Sequence, residues 1–407
     1  MKIMIINCHT ANRGDEAAVH ALVDEILLLY PECSITLALR GETTYPNLPK
    51  NVKVIQQVVP NKNDIKYRIA YLTKGKVAVG NYYKTFVSEV QQSDIILHAP
   101  GGPSIGDTYY DAEDSYLYTY DLIRSMKKPY MFYAPSMGPF NIQSRNEWRK
   151  RVISGAKAVA LRDPISARHV TKLLPNIKVY QTLDSAIQHD IEITTNERKL
   201  NLYSELKVFL DSHKRCVGIT ITDLLWHPIH SKDNKVQQSI GNSFTYILER
   251  LTENGYGIVF IPQLYGVGND YELMKSYCVN SKDYFIIPDN DERYDTYFQQ
   301  YLIGQLYAVI GMRYHSNIFS AKMGTPFISV SYEQKMRGFM EKMNLSNYCL
   351  SLEELNPAAL LDKFLLLEKN YAEYKNFLNS KHNQMKKESY KTTDVLIEVI
   401  DEIKESR

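Results

Sequence analysis

Short apolar runs alternate along the chain with stretches in which apolar residues recur every three or four positions. The first run, at 2–7, is followed by a polar turn and then by Val19, Leu22, Val23 and Ile26 at helical spacing. Further strand-like runs lie at 35–39, 52–55, 94–98, 129–134 and 156–161, and helical patterns lie near 64–73, 115–126, 144–154 and 164–174. This alternation predicts a parallel sheet covered by helices on both faces.

A polar stretch between about 186 and 213 interrupts the pattern, and a second α/β series follows it. Its strand-like runs lie at 216–221, 257–262, 284–287, 307–311 and 326–330, and its helical patterns at 237–253, 270–279, 294–304, 316–323 and 333–343. We therefore predict an N-terminal Rossmann-like domain over 1–190 and a C-terminal Rossmann-like domain over 214–345.

The last segment, 356–407, has a different pattern. Asn356 suits an N-cap and Pro357 a first helical position, and apolar residues from Leu360 to Leu378 then share one face. We predict a long amphipathic helix that packs back across the domains; membrane or partner binding stays open as the alternative, although the polar face mixes Glu and Lys. The predicted fold class is thus α/β, with two doubly wound domains facing a cleft, a layout called GT-B-like.

Composition narrows the class of protein further. The chain has 407 residues with a formal net charge of +2, which gives no general attraction for nucleic acid. Five scattered cysteines without a CxxC pair argue against a disulfide framework and a structural zinc site. The apolar N-terminus is too short for a signal peptide, and no apolar run reaches the ~18 residues that span a bilayer. We expect a cytoplasmic protein, and a location at the inner face of the membrane stays open as the alternative.

The loops that follow the predicted strands carry the candidate chemistry, because parallel sheets bind ligands at the carboxyl ends of their strands. The loop residues that we single out in the N-terminal half are Asn12, Gly14, Asp15, Glu16, Gly101, Gly102, Ser136, Gly138 and Arg162. Adjacent glycines allow positive φ or close approach of the backbone to a ligand. An arginine at a strand end has a fork that suits a carboxylate or phosphate, although a structural contact of Arg162 with Asp163 is the alternative.

The most informative segment is 310–326. A buried strand ends at Gly311, a helix starts near His315, and Gly324 closes that helix. Arg313 and His315 then stand together at a helix N-terminus, which favours an anion and a histidine that is held cationic by a bound phosphate. The segment 331–338 adds Glu333 and Lys335 after the next strand.

Together these segments resemble the polysaccharide pyruvyl transferase family. The resemblance spans about residues 1–340 and is carried by 12–16, 101–102, 134–138, 162–166, 313–316 with 324–326, and 332–339. One departure is Pro103, where a third glycine is frequent in the family.

The resemblance implies a GT-B-like fold and transfer of pyruvate from phosphoenolpyruvate onto two hydroxyls of a sugar, forming a cyclic ketal in a surface polysaccharide or its precursor. It implies donor binding by Arg313 and His315, with Arg162 as the second arginine. We add Ser316 and Lys335 to the donor set, on the C-terminal side, and expect the acceptor on the N-terminal side. His315 is the candidate acid, and Asp15, Glu16 or Glu333 the candidate base.

Phosphoenolpyruvate is expected as co-substrate, with no cofactor, metal or nucleic acid. The acceptor would be a sugar or a lipid-linked oligosaccharide, through which the protein could associate peripherally with a membrane. Two alternatives stay open: a glycosyltransferase of the same architecture that uses a nucleotide sugar, and a non-catalytic protein that binds anionic sugars.

Overall fold

The computed structural model describes residues 1–9, 11–41, 48–265, 268–278, 282–288 and 291–406. These residues form two compact units. The first comprises Met1–Thr10, Ala18–His189 and Lys387–Arg407, and the second comprises Ala11–Ala17 and Asp190–Lys386. Each unit is therefore assembled from segments that are far apart in the chain.

Up to residue 181, the described part of the chain contains seven strands and six α-helices, including all those that the alternation predicts. The strands are β1 Lys2–Cys8, β2 Ser34–Leu39, β3 Val52–Gln56, β4 Ile95–His98, β5 Tyr130–Tyr133, β6 Ala158–Leu161 and β7 Val179–Gln181. The helices are α1 Arg13–Leu29, α2 Ile65–Leu72, α3 Asn81–Gln92, α4 Tyr110–Ser125, α5 Gln143–Ser154 and α6 Pro164–Leu173.

The second half repeats the same alternation and ends in helices. Its strands are β8 Cys216–Thr220, β9 Gly257–Phe260, β10 Tyr284–Ile286, β11 Ala308–Gly311, β12 Phe327–Ser331 and β13 Cys349–Ser351. Its helices are α7 Ile193–Leu202, α8 Ser204–Ser212, α9 Asn234–Glu253, α10 Asp270–Tyr277, α11 Thr296–Gln305, α12 Tyr314–Met323, α13 Gln334–Lys342, α14 Pro357–Lys369 and α15 Tyr371–Glu405.

Both sheets are parallel and have the same strand order. The first runs β3-β2-β1-β4-β5-β6-β7 and the second β10-β9-β8-β11-β12-β13. In each, the order reverses direction between the first strand of the sheet and its fourth, β1 with β4 and β8 with β11. In doubly wound sheets this switch point, at the carboxyl ends of the strands, is where ligands bind. The predicted fold class is confirmed for the sheets and for the helices that connect their strands.

The first sheet is covered on both faces, as its continuous apolar strands require. Ile3 and Ile5 of β1 belong to one buried cluster, and Met4 and Ile6 to another on the opposite face. The first cluster also contains Leu396 and other apolar residues near the end of α15. None of the described helices is long and apolar enough to cross a membrane.

The elements differ from the sequence prediction at several places. Helix α3 and the three-residue strands β7 and β13 were not predicted, and two helices, α7 and α8, lie in the polar stretch between 186 and 213. The C-terminal helix is interrupted at Asn370, which ends α14 before α15 begins. The strands β7 and β13 lie at sheet edges and are short and mostly half-buried, so their apolar pattern is weak. Residue 279, at the end of one predicted helix, lies outside the described residues.

Candidate active site

The loop between β11 and α12 is held by a buried hydroxyl network in the second unit. The Thr220 hydroxyl oxygen accepts from the backbone N–H of Met312 (3.1 Å) and of Arg313 (3.3 Å). Thr220 Oγ1 lies 2.8 Å from Ser316 Oγ, which itself donates to the Arg313 carbonyl at 2.6 Å. Ser316 is fully buried, so its hydroxyl holds the loop in place.

Glycine is required where this loop leaves the sheet. An ideal Cβ on Gly311 would lie 2.0 Å from Asn317 Oδ1, and the Asn317 amide donates to Ser329 Oγ at 2.8 Å. The loop therefore packs directly on the first turn of α12. Arg313 and His315 enter the site on this rigid turn, as the sequence predicts for their place at a helix start.

Arg313 is 3% exposed and lies against Asp270, at the start of α10. Its Nε is 3.2 and 3.1 Å from the two carboxylate oxygens, and Nη2 makes a further short contact with Oδ1. Its guanidinium also lies over the Trp226 ring, 5.0 Å from the centroid. Burial alone would lower the pKa of Arg313, but Asp270 and Tyr332 outweigh it and raise that pKa above its usual value. The cation is thus fixed and permanently charged, with Asp270 as its counterion.

His315 is 4% exposed and lies against the N-terminal segment that belongs to the same unit. An ideal Cβ on Gly14 would be 2.0 Å from His315 Nδ1 and 2.1 Å from its Cγ. The Tyr314 ring meets the imidazole edge-on at 5.1 Å between centroids. Gly14 and His315, both singled out from the sequence, are therefore direct neighbours, and only glycine leaves room for the imidazole.

The segment Ala11–Ala17 is held by backbone pairing next to β9. Arg13 N donates to Gln263 O at 2.9 Å, and Tyr265 N donates to Ala11 O at 2.8 Å. The Asn12 side-chain oxygen accepts from Gly14 N at 2.8 Å, which starts α1. This pairing is what places Gly14 beside His315.

The three candidate bases have different surroundings in the second unit. Glu16 is buried and pairs with Arg13 (2.8 Å), and Glu333 is buried with Oε1 3.2 Å from His227 Nε2 and Oε2 2.7 Å from Lys335 Nζ. Asp15 is half-buried, and among the described residues its carboxylate has no hydrogen bond or ion pair. The carboxylates of Glu16 and Glu333 thus already have cationic or imidazole partners, whereas that of Asp15 has none within the described residues.

His227 is a neighbour of this site that sequence reasoning missed. It follows β8, is 1% exposed, and accepts from Ile229 N at Nδ1 (3.3 Å), so Nε2 carries the proton that Glu333 accepts. Leu224, in the same loop, has a φ of 59°, a strained value for this residue. Asp270, Trp226 and Tyr332 were also missed, although all of them follow strand ends, and searching every such loop for charged and ring side chains would have found them.

Arg162 and Ser136 belong to a closed polar network in the first unit. Arg162 is 1% exposed; its Nη1 donates to Asp184 Oδ2 at 2.5 Å and its Nε to Ser136 Oγ at 3.1 Å. Ser136 in turn donates to Asp163 at 2.9 Å, and Asp163 caps α6 through Ser166 N. The buried guanidinium therefore makes the structural type of contact that stood as the alternative for Arg162, with Asp184 as its ion partner and not Asp163.

The predicted glycine loops pack on each other in the first unit, but the positive φ values fall elsewhere than expected. Gly101 and Gly102 are not among the residues with positive φ, whereas Gly106 (152°) and Gly138 (85°) are. An ideal Cβ on Gly106 would lie 2.6 Å from Gly138 O. Ser136 N donates to Gly101 O at 3.0 Å. The close approach therefore joins the loops after β4 and β5 to each other.

Solved structures with a similar fold include an epimerase and a glycosyltransferase. A UDP-GlcNAc 2-epimerase from Neisseria meningitidis bound to UDP-GlcNAc has a TM-score of 0.60 at 13% identity, covering 98% of this chain and 100% of that one. A glycosyltransferase from Rickettsia africae ESF-5 has a TM-score of 0.62 at 14% identity, covering 99% and 98%. These similarities define the class as a GT-B-like α/β protein.

The sequence comparisons are more specific than the fold. The family model described as polysaccharide pyruvyl transferase matches residues 12–334, and the chain belongs to this family of enzymes. It is also similar to the amylovoran biosynthesis protein AmsJ of Erwinia amylovora, with 23% identity over 400 residues, covering 92% of this chain and 93% of that protein. The family resemblance drawn from the motifs is confirmed.

Proposed function

We propose that this protein transfers pyruvate from phosphoenolpyruvate onto two hydroxyls of a sugar, in a surface polysaccharide or its precursor, and releases phosphate. The product is a cyclic ketal. The proposal rests on one observation in a chain of this family: a buried imidazole, His315, and a fixed cation, Arg313, both lie at the start of α12. An acid and an anion site together are what this chemistry needs.

The donor would bind in the second unit at the switch point between β8 and β11. The N-terminus of α12 favours an anion, and Arg313, His315 and Lys335 supply positive or ionisable groups around it. Asp270 already neutralises Arg313 and Glu333 already contacts Lys335, so a bound anion would share these cations with carboxylates. Arg162, which the resemblance also implies for donor binding, already forms a buried ion pair with Asp184 in the first unit.

His315 is the proposed acid of the first step. Its proton adds to the methylene carbon of phosphoenolpyruvate, which becomes a methyl group, and the carbon that bears phosphate gains oxocarbenium character. A sugar hydroxyl attacks that carbon and loses its proton to a base. The carbon–oxygen bond to phosphate then breaks, and the second hydroxyl attacks and loses its proton. One of the two released protons restores His315 and the other leaves with phosphate.

Asp15 is the base that the surroundings support best. Of the three candidates, Glu16 and Glu333 already accept from cationic or imidazole neighbours, so these contacts occupy oxygens that a base would need for the sugar hydroxyl. Asp15 adjoins Gly14, which lies against His315, and it carries no such contact among the described residues.

The acceptor would be a sugar or lipid-linked oligosaccharide that binds to the first unit. Phosphoenolpyruvate is a product of central metabolism, so the proposal places the reaction in the cytoplasm, with association at the inner membrane face only through the acceptor. The proposed reaction needs no cofactor besides this co-substrate.

Donor binding tests the proposal without knowledge of the acceptor. Thermal unfolding is measured with phosphoenolpyruvate, with UDP-, GDP- and CMP-sugars, and with inorganic phosphate. A ligand at 100 times its dissociation constant adds ~2.7 kcal/mol of stability, which is readily seen. We expect phosphoenolpyruvate to raise the unfolding temperature, and we expect this increase to be smaller in Lys335→Gln and unchanged in Lys375→Gln, a variant of an exposed lysine of α15.

An increase in the unfolding temperature with a nucleotide sugar and none with phosphoenolpyruvate would contradict the proposal and identify a glycosyltransferase. For the acid, His315→Gln should keep donor affinity within about tenfold, or ~1.4 kcal/mol, and abolish turnover. Full activity of that variant would show that another group protonates the donor.

A further inference from the structure

A second polar cluster lies at the switch point of the first sheet. Asn7 is the next-to-last residue of β1, Arg40 follows β2, and His98 ends β4. Asn7 has a φ of 64°, and its side-chain oxygen accepts from Gln57 Nε2 at 2.6 Å. Strained backbone at strand ends recurs at functional sites, and a doubly wound sheet offers its ligand crevice at this point.

Arg40 is the central residue of this cluster. Its guanidinium lies flat over the Tyr116 ring, 3.9 Å from the centroid, and Nη2 donates to Ser115 Oγ at 2.7 Å. Nη1 is 3.5 Å from Asn7 Oδ1, which is already occupied by Gln57. The fork is therefore positioned by a ring and a hydroxyl, and it remains half-buried with a path to solvent.

Among the described residues, Arg40 has no carboxylate counterion, unlike other arginines in tight surroundings. Arg13, Arg149, Arg162 and Arg313 each pair with a carboxylate, whereas within the described ranges no carboxylate contacts Arg40. Burial lowers the pKa of Arg40, opposed only weakly by Tyr116. A desolvated cation without a counterion is costly, and a bound anion would remove that cost.

The neighbours of Arg40 are rings and hydroxyls that suit a sugar. Burial lowers the pKa of His98 to about 4, so its ring is uncharged at neutral pH. His98 Nδ1 lies 2.7 Å from the Ala99 carbonyl and therefore donates to it, and Nε2 accepts from Ser104 at 2.7 Å. His9 Nε2 contacts the Tyr116 hydroxyl at 3.3 Å. Rings and hydroxyls around one cation match a sugar that carries a single negative charge.

We propose that the Arg40 cluster, formed by Asn7, His9, Arg40, His98 and Tyr116, binds the carboxylate of an acidic sugar such as a uronic acid. A single guanidinium fork suits a singly charged carboxylate better than a phosphate dianion. That this sugar belongs to the acceptor rests on the proposed function, whereas binding of the carboxylate by the first unit does not.

Matched glycosides test the assignment in the full-length protein without phosphoenolpyruvate. Ligand-observed NMR titrations compare methyl glucuronide with methyl glucoside, and methyl galacturonide with methyl galactoside, at fixed ionic strength. Glucose 1-phosphate and inorganic phosphate are run alongside. We expect at least one uronide to bind about tenfold or more tighter than its neutral partner, as a charge-assisted pair should.

Arg40→Gln should abolish the preference for the uronide and leave the neutral glycoside unaffected, while Arg40→Lys keeps part of it. Arg151→Gln is the matched control, because Arg151 is exposed on α5 and pairs with Asp121. Thermal unfolding of each variant shows that it is folded.

Three results would overturn the proposal: no uronide preferred over its neutral partner, a preference that survives in folded Arg40→Gln, or Arg40-dependent binding of the phosphates without the uronides. Failure of phosphoenolpyruvate to bind would instead contradict the proposed function and leave this result standing.

Discussion

At Gly14, the position that a side chain would fill is occupied by the imidazole of His315. A Cβ there would lie 2.0 Å from Nδ1, far inside contact distance. We expect Gly14→Ala to displace the imidazole from its place at the start of α12. Turnover should fall about 100-fold or more, since small misplacements of a catalytic group have costs of that size. Before an acceptor is known, the imidazole signals of His315 in NMR spectra report the displacement.

Gly241→Ala is the matched control for Gly14→Ala. Gly241 lies within α9, and nothing surrounds its ideal Cβ within 4 Å. Alanine there should stabilise the helix by about 0.5–1 kcal/mol and leave His315 unchanged. An unchanged His315 signal in Gly14→Ala would contradict the contact.

His98 makes stability depend on pH. Its pKa is about 4 in the folded protein, because of burial, against 6.5 for the free side chain. Between these values the unfolded chain binds more protons than the folded one, so stability falls as the pH drops from about 6.5 to 4 and is independent of His98 above that window. Across the whole window, the titration of His98 lowers the free energy of unfolding by about 3 kcal/mol. Urea denaturation across this range measures it.

His98→Gln should reduce this acid sensitivity by a similar amount, since an amide does not titrate. An NMR titration of the His98 imidazole gives its pKa directly. A midpoint near 6.5 in the folded protein would disprove the prediction.

At the scale of elements, the Asp270–Arg313 pair connects the start of α10 with the start of α12. Both side chains are nearly fully buried, so removing one charge leaves the other without a counterion. Asp270→Asn should lower the free energy of unfolding by about 3 kcal/mol or more. The double variant Asp270→Asn with Arg313→Gln should lose less than the sum of the single changes.

Asp211→Asn provides the comparison for an exposed ion pair. Asp211 contacts Lys207 one turn away on α8, at the surface, where such pairs contribute about 0.5 kcal/mol or less. Equal effects of the Asp270 and Asp211 variants in urea denaturation would argue against a coupled buried pair.

Most elements could be predicted because buried parallel strands are continuous apolar runs. Helix α3 was missed although Tyr83, Phe86, Val87 and Val90 are buried at helical spacing, since polar residues surround them in the sequence. The edge strands β7 and β13 have too few residues to form a pattern, and their pairing with β6 and β12 is set by tertiary contacts.

The site could be predicted in part. Arg313 and His315 follow from one local segment, in which a strand ends and a helix begins. The residues that contact them could not be predicted from this segment, because Gly14 and Asp270 lie in other segments of the chain and come into contact with His315 and Arg313 only when the chain folds. The ion partner of Arg162 was equally out of reach: the adjacent Asp163 is taken by its own helix cap, which leaves Asp184.

At the scale of the whole molecule, the first unit depends on the last helix. Leu396 is 1% exposed within the core cluster on one face of the first sheet. Leu396→Ala should therefore lower the free energy of unfolding by about 2–5 kcal/mol, the cost of a buried cavity. Leu365→Ala on α14 is the control, because Leu365 is half exposed and the change should stay within about 0.5 kcal/mol. Similar urea midpoints for both variants would exclude a core role for this end of α15.

The division of each unit between distant segments bears on how the chain is made. The first unit takes its opening strand from the start of the chain and Lys387–Arg407 from its other end, while the second unit takes in Ala11–Ala17. On a ribosome the N-terminal sheet would emerge first, with one apolar face only partly covered, by α1, until α15 has been synthesised. The first unit would thus complete its core only after α15 has left the ribosome, and chaperones that shield apolar surface would be most needed during that interval.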